Sequence, residues 1–197
     1  MPENYIELPD GKKLIVFETN QHPDFPATTV NVQETLTADI PTYQVVADNI
    51  APALNKNILS IFNRLQTKRI RIQSVFVYPR SLANHTVTLQ LGYINAEPTG
   101  GTDLTLVKHA FDFPNNPAAP DDVVAKAEAT ATPIAGIIFG GSTFSVNTAG
   151  KYSIFEASRN SSALQLRAGG LDGIVLRQVT GAGTTGTLTA HVVFTLD

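Results

Sequence analysis

In Arg69-Ile70-Arg71-Ile72-Gln73-Ser74-Val75-Phe76-Val77-Tyr78, apolar and polar side chains alternate residue by residue. Ile70, Ile72, Phe76 and Tyr78 share one parity, and Arg69, Arg71 and Gln73 share the other. Successive side chains of a strand point to opposite faces, so this period predicts a strand with one face in a core. Val75 and Val77 disturb the pattern, because they fall on the parity of the arginines. Residues 86–94 repeat the alternation, with Val87, Leu89, Leu91 and Tyr93 in phase. Between the two runs, Pro79-Arg80-Ser81-Leu82-Ala83-Asn84-His85 reads as a hairpin loop.

The same signal extends in both directions. Upstream, residues 28–37 place Val30, Val32 and Leu36 in phase, and Tyr43-Gln44-Val45-Val46 is a further short run. Downstream, strands are expected at 104–113, 123–132, 137–146, 152–157, 163–168, 173–180 and 187–196. Glycine and proline turns separate them, among them Pro98-Thr99-Gly100-Gly101, Ala168-Gly169-Gly170 and Gly181-Ala182-Gly183. One helix is expected over 50–66, where Ile50, Leu54, Ile58, Ile61, Phe62 and Leu65 recur at helical spacing. Asp48 or Asn49 would cap it, with Pro52 in its first turn. Residues 1–28 read as an extended arm. Leu14-Ile15-Val16-Phe17 is long enough for one strand, and Pro23 and Pro26 then enforce an extended path. The expected fold is therefore all-β: an antiparallel β-sandwich, jelly-roll-like, of about nine strands with one amphipathic helix and an N-terminal arm. The expected organisation is an arm at 1–28 and a sandwich at 29–197. An immunoglobulin-like strand order fits the same pattern.

Composition narrows function. The 197 residues are 43% hydrophobic and only 16% charged, with a net charge of -3. No global basic field is present to hold nucleic acid. The absence of cysteine removes disulfides, thiol catalysis and Cys-bound zinc. Charge is distributed unevenly. Residues 1–48 carry eight acids against Lys12 and Lys13, whereas 49–96 carry no acid and six bases: Lys56, Arg64, Lys68, Arg69, Arg71 and Arg80. The acidic quarter can lie on the basic one, within a chain or between neighbouring subunits. Met1-Pro2-Glu3-Asn4-Tyr5-Ile6-Glu7 lacks the basic and apolar regions of a secretory signal, and no apolar run is long enough for a membrane helix. The triplets Asn84-His85-Thr86 and Asn160-Ser161-Ser162 are accordingly read as chance matches to the glycosylation pattern.

No motif reaches the threshold for catalysis. Gly181-Ala182-Gly183-Thr184-Thr185-Gly186 matches the dinucleotide fingerprint, but the β-like run 187–196 follows where a helix would be needed, so a hairpin turn is expected. His22, His85, His109 and His191 are too dispersed for a zinc pattern. Asp112, Asp121 and Asp122 bracket a proline-rich loop whose spacing matches no calcium loop. Gly140-Gly141-Ser142-Thr143-Phe144 fails the nucleophile-elbow pattern at its last position. Lys68-Arg69-Ile70-Arg71 is too small a basic patch for nucleic acid. No catalytic, cofactor-binding or metal-binding residue is assigned, and no cofactor is expected.

A β-sandwich with an acidic, proline-broken arm, Thr/Gly/Ala-rich loops and no active-site motif resembles the decoration, or cement, proteins of tailed bacteriophage heads. Residues 69–77, their partner 86–93 and an expected hairpin at 173–197 carry the likeness, which spans 28–197 and transfers no individual residue. What the resemblance implies is a structural protein of the virion, made in the host cytoplasm and placed on the capsid surface. It implies a homotrimer whose partner is the major capsid protein, with no enzymatic activity and no nucleic-acid, membrane or small-molecule partner. The alternatives are a tail or head-fibre component and a carbohydrate- or ligand-binding sandwich module.

Overall fold

The computed structural model describes the backbone of residues 5–7, 13–16 and 32–33, and residues 41–80, 86–108, 121–145, 150–158, 162–181 and 186–197 in full. The chain divides into two units, Met1–Asp39 and Ile40–Asp197. The first holds an antiparallel three-stranded sheet of β1 (Tyr5–Glu7), β2 (Lys13–Val16) and β3 (Val32–Gln33), in that order.

The second unit is two antiparallel sheets packed face to face, a β-sandwich. Its strands are β4 (Thr42–Ile50), β5 (Asn57–Asn63), β6 (Ile70–Arg80), β7 (Thr86–Ile94), β8 (Thr102–Asp103) and β9 (Val107–Lys108). They continue as β10 (Val123–Ala127), β11 (Ile138–Ser145), β12 (Tyr152–Glu156), β13 (Leu164–Leu166), β14 (Asp172–Thr180) and β15 (Thr187–Leu196). One sheet runs β11-β7-β14-β5-β10-β8 and the other β12-β6-β15-β4-β9, with β13 continuing the edge beside β6. Inward-facing side chains such as Val45, Ile72, Leu89, Leu91, Leu176 and Val192 meet between them with no solvent exposure. Tyr43 and Phe194 stack within this core at 5.6 Å between ring centroids. Among the described residues no helix is long and apolar enough to cross a membrane.

The irregularity at Val75 and Val77 has a local cause. The pairing of β6 with β15 shifts register between Val193 and Phe194, opposite Ser74 and Ile72, which leaves Gln73 as the extra residue of a bulge. A bulge reverses the parity beyond it. Ile70 and Ile72 therefore share the core face with Val75 and Val77, while Phe76 and Tyr78 turn outward with Arg71 and Gln73.

The helix expected over 50–66 does not form. Asn49 and Asn55 stand at φ of 56° and 61°, outside any right-handed helix. Ala53–Lys56 is a turn closed by a bond from Lys56 N–H to Ala53 O at 3.1 Å, and β5 follows it. The helical spacing has a different origin. Leu59 and Ile61 face the core, Ile58 sits at a bulge that turns it inward too, and Phe62 packs on the outer side with Ile94 and Val175. A strand buried on both faces reads as a nearly continuous apolar run, which a helical template also matches.

The two expected hairpins are likewise not hairpins. β6 and β7 lie in different sheets, and so do β14 and β15. Alternation reports which side chains face a core, but not which strand lies alongside.

Candidate functional site

The most concentrated polar chemistry among the described residues lies at one end of the sandwich, where β5, β14 and β7 are neighbours. Asn63 ends β5, Asp172 begins β14 directly opposite it, and Tyr93 precedes the last residue of β7. Each occupies a position in phase with core residues, namely Ile61, Ile174 and Leu91. The polar groups thus stand where the apolar ladder would otherwise continue.

Asn63 is fully buried and fully engaged. Its Nδ2 donates to the carbonyls of Lys68, Leu166 and Arg167 at 3.1, 3.2 and 2.9 Å, and its Oδ1 accepts from Leu65 N–H at 3.0 Å. Asp172 is equally enclosed. Its carboxylate accepts from the Tyr93 hydroxyl, from Arg167 N–H at 3.1 Å, and from Arg167 Nε and Nη2 at 2.7 and 3.0 Å. The Asp172 side chain is 3% exposed, whereas that of Arg167 is 71% exposed. Burial works to raise the Asp172 carboxyl, but the hydrogen bonds from Arg167 and Tyr93 outweigh it and hold the group below its ordinary value. The same bonds raise Tyr93 and Arg167. A carboxylate with four donors in place has its acceptor capacity filled. The cluster therefore ties the 163–173 corner to the ends of β5 and β7, and leaves no group poised for proton transfer.

A concavity of about 660 Å³ begins on the other side of Asn63, at Arg64 and Val123, and is lined further by Leu104, Leu106, Glu97, Asp103 and Lys126. Four of its charges form pairs, Arg64 with Glu97 and Lys126 with Asp103, and Asp121 also lines it. The basic quarter of the sequence is also largely neutralised within the sandwich. Lys56 pairs with Glu128, Arg64 with Glu97, and both Arg69 and Arg71 with Asp197. Four of those six cations thus have a carboxylate partner within the sandwich, with Arg69 and Arg71 sharing one.

The motifs singled out in the sequence do not converge. His191 lies on the outer face of β15, edge-on to Tyr78 at 5.2 Å; burial lowers its basicity and Asp48 partly opposes that. His22, His85, His109 and Asp112 lie outside the described residues, as do Asn84, Asn160 and most of the arm. Asp121 and Asp122 precede β10, and no group of three metal-ligating side chains occurs among the described residues. Gly140 and Gly141 lie in β11, where a Cβ on Gly140 would fall 2.3 Å from the Ile154 carbonyl oxygen. Those glycines serve close strand packing. Gly181 and Gly186 bound the passage between sheets at φ of 90° and 98°. The Asn63–Asp172–Tyr93 cluster escaped the sequence reading; its only trace is a polar residue at each end of an apolar run. In comparison with known proteins, the chain matches no family model, no curated protein and no solved structure.

Proposed function

We propose that this protein is a structural component of a tailed-phage virion, a homotrimer that decorates and stabilises the capsid through multivalent contacts with the major capsid protein. The observation that carries this reading is the division of the chain into a β-sandwich unit and an N-terminal unit of residues 1–39 that is rich in acids. A protein that works by contact needs surfaces and a stable core, and many weak contacts on a symmetric lattice add up to high avidity. Because most of the basic quarter is paired within the sandwich, the acidity of residues 1–39 is better spent on a neighbouring molecule than on those cations.

The sandwich in this reading is a jelly roll. With β8, β9, β10 and β13 set aside, the sheets run β4-β15-β6-β12 and β5-β14-β7-β11. The hydrogen-bonded neighbours include β4 with β15, β5 with β14, β6 with β12, and β7 with β11. First pairs with last and second with second-last, the order produced by rolling up one long eight-stranded hairpin.

Co-sedimentation with bare heads of the encoding phage tests the function. Saturable binding, weakened on deletion of residues 1–28 while the sandwich stays folded, is expected; no binding to heads would overturn the proposal. A ligand-binding module is the second reading, favoured only by the concavity beside Arg64 and Lys126. A glycan array with reproducible binding, lost in Lys126→Ala, would support it instead.

A further inference from the structure

Residues 129–150 contain no Asp, Glu, Lys, Arg or His, although Glu128 and Lys151 flank them. Within this span the chain turns at Ile134–Ile137, closed by a bond from Ile137 N–H to Ile134 O at 3.2 Å, with Gly136 at a φ of 81°. Two more backbone bonds fasten the turn to β7. Ile134 N–H donates to Tyr93 O at 2.8 Å, and Tyr93 N–H donates to Ile137 O at 3.2 Å. The tip is therefore held in place, and it holds apolar side chains in water. Ile137 is 40% exposed and Ile138 54%, with Ala135 and Gly136 exposed beside them. Single exposed apolar residues need no explanation; two adjacent isoleucines on a fastened turn make a contiguous patch, and the largest such patch on a protein is often a functional one.

We propose that this turn and the start of β11 are the contact through which copies of the chain associate about a symmetry axis. The inference rests on the homo-oligomer reading above and names its interface. Near a rotation axis each residue meets its own copy, so any charge there meets a like charge. An uncharged strip is the part of a surface that can occupy such a place. The exposed apolar patch is on the order of a few hundred Å², well short of the roughly 800 Å² per partner of a standard interface. It forms the apolar centre of a larger contact, and uncharged polar side chains of β11, β7 and β14 follow on the same sheet, toward the far end of β11. There Thr180 donates to Thr88 at 2.6 Å, and Thr88 and Thr143 share a hydrogen bond at 2.9 Å. A lipid surface is the poorer occupant, because no cation lies in the span to add headgroup attraction. The chain's own concavity is a poor seat too, being lined by charged pairs.

The chain has no cysteine, which allows a direct test. Ile138→Cys, oxidised in dilute solution, should form covalent dimers in high yield. Leu54→Cys, at an equally exposed leucine in the β4–β5 connection, should not. Ile138→Asp should shift the native mass to that of one chain while circular dichroism stays that of the wild type. If Ile138→Asp loses its fold, Ala135→Asp at the exposed tip provides the same readout. A wild-type protein that is already a monomer overturns both this contact and the homo-oligomer reading. A wild-type oligomer that survives Ile138→Asp, with no Ile138→Cys cross-link, overturns the contact alone. Flotation of the monomeric wild type with phosphatidylcholine vesicles, lost in Ile138→Asp, would assign the turn to a bilayer instead.

Discussion

The Asp172 end of the sandwich and the 133–139 turn invert the usual placement of side chains in opposite senses. At the first, an Asn, an Asp and a Tyr take inward positions, and the Asp carboxylate is 3% exposed. At the second, two isoleucines stand in water on a turn fastened by backbone bonds. The first inversion is complete within the chain, because every oxygen and N–H of the Asn63 and Asp172 side chains has a partner across four segments. The second is incomplete, because nothing among the described residues covers Ile137 and Ile138. Burial of polar groups with all partners present speaks for stability, and exposure of apolar groups without any speaks for association.

Substitutions should separate the two regions. The largest effect is expected at Asp172→Ala, which strands the Tyr93 hydroxyl and the Arg167 N–H; a loss of about 3 kcal/mol in urea unfolding is expected. Arg167→Ala should cost less, because the Tyr93 hydroxyl and the backbone N–H of residue 167 still donate to the carboxylate and water can take the place of the exposed guanidinium. Equal losses would mean that the ion pair, rather than satisfaction of the buried carboxylate, holds the corner. Asn63→Ala should follow at about 2 kcal/mol, since three carbonyls lose a donor while water reaches some of them.

Acid should act on the first region and spare the second. Asp172 is held below its ordinary value in the folded state, so its contribution is complete above about pH 4 and is lost as pH falls through the folded value. His191 is held below its own ordinary value, near 6.5, so the unfolded chain takes up that proton first and stability declines as pH drops below about 6.5. Thermal melts from pH 8 to 3 should show both steps. Asp172→Ala should diminish the lower step, and His191→Gln should remove the upper one. Ile138→Asp should change monomer stability least, within about 0.5 kcal/mol, because the side chain is on the surface. A large loss there would make the turn part of the core and erase the contrast.

The β class was legible because alternation is a local consequence of facing a core: each of the seven strands expected from residue 104 onward overlaps one of the strands β9 to β15, with 109–113 outside the described residues. What was illegible depended on distant partners. The bulge at Gln73 is set by how β15 pairs, and the false helix at 50–66 arose because β5 is covered on both sides. The supposed hairpins failed because a turn sequence does not record which sheet receives the next strand. Asn63, Tyr93 and Asp172 are far apart in sequence and unremarkable singly; only the register of β5, β14 and β7 brings them together. Of the arm expected at residues 1–28, only the backbone of 5–7 and 13–16 lies within the described residues.

The central claim is that the exposed isoleucines are covered by other copies of the chain. Light scattering during gel filtration, on the wild type and Ile138→Asp at the same micromolar concentration, tests it most directly. The account predicts a trimer of 21.1 kDa chains for the wild type and a folded monomer for the variant. A wild-type monomer, or a variant that remains a trimer, would contradict it.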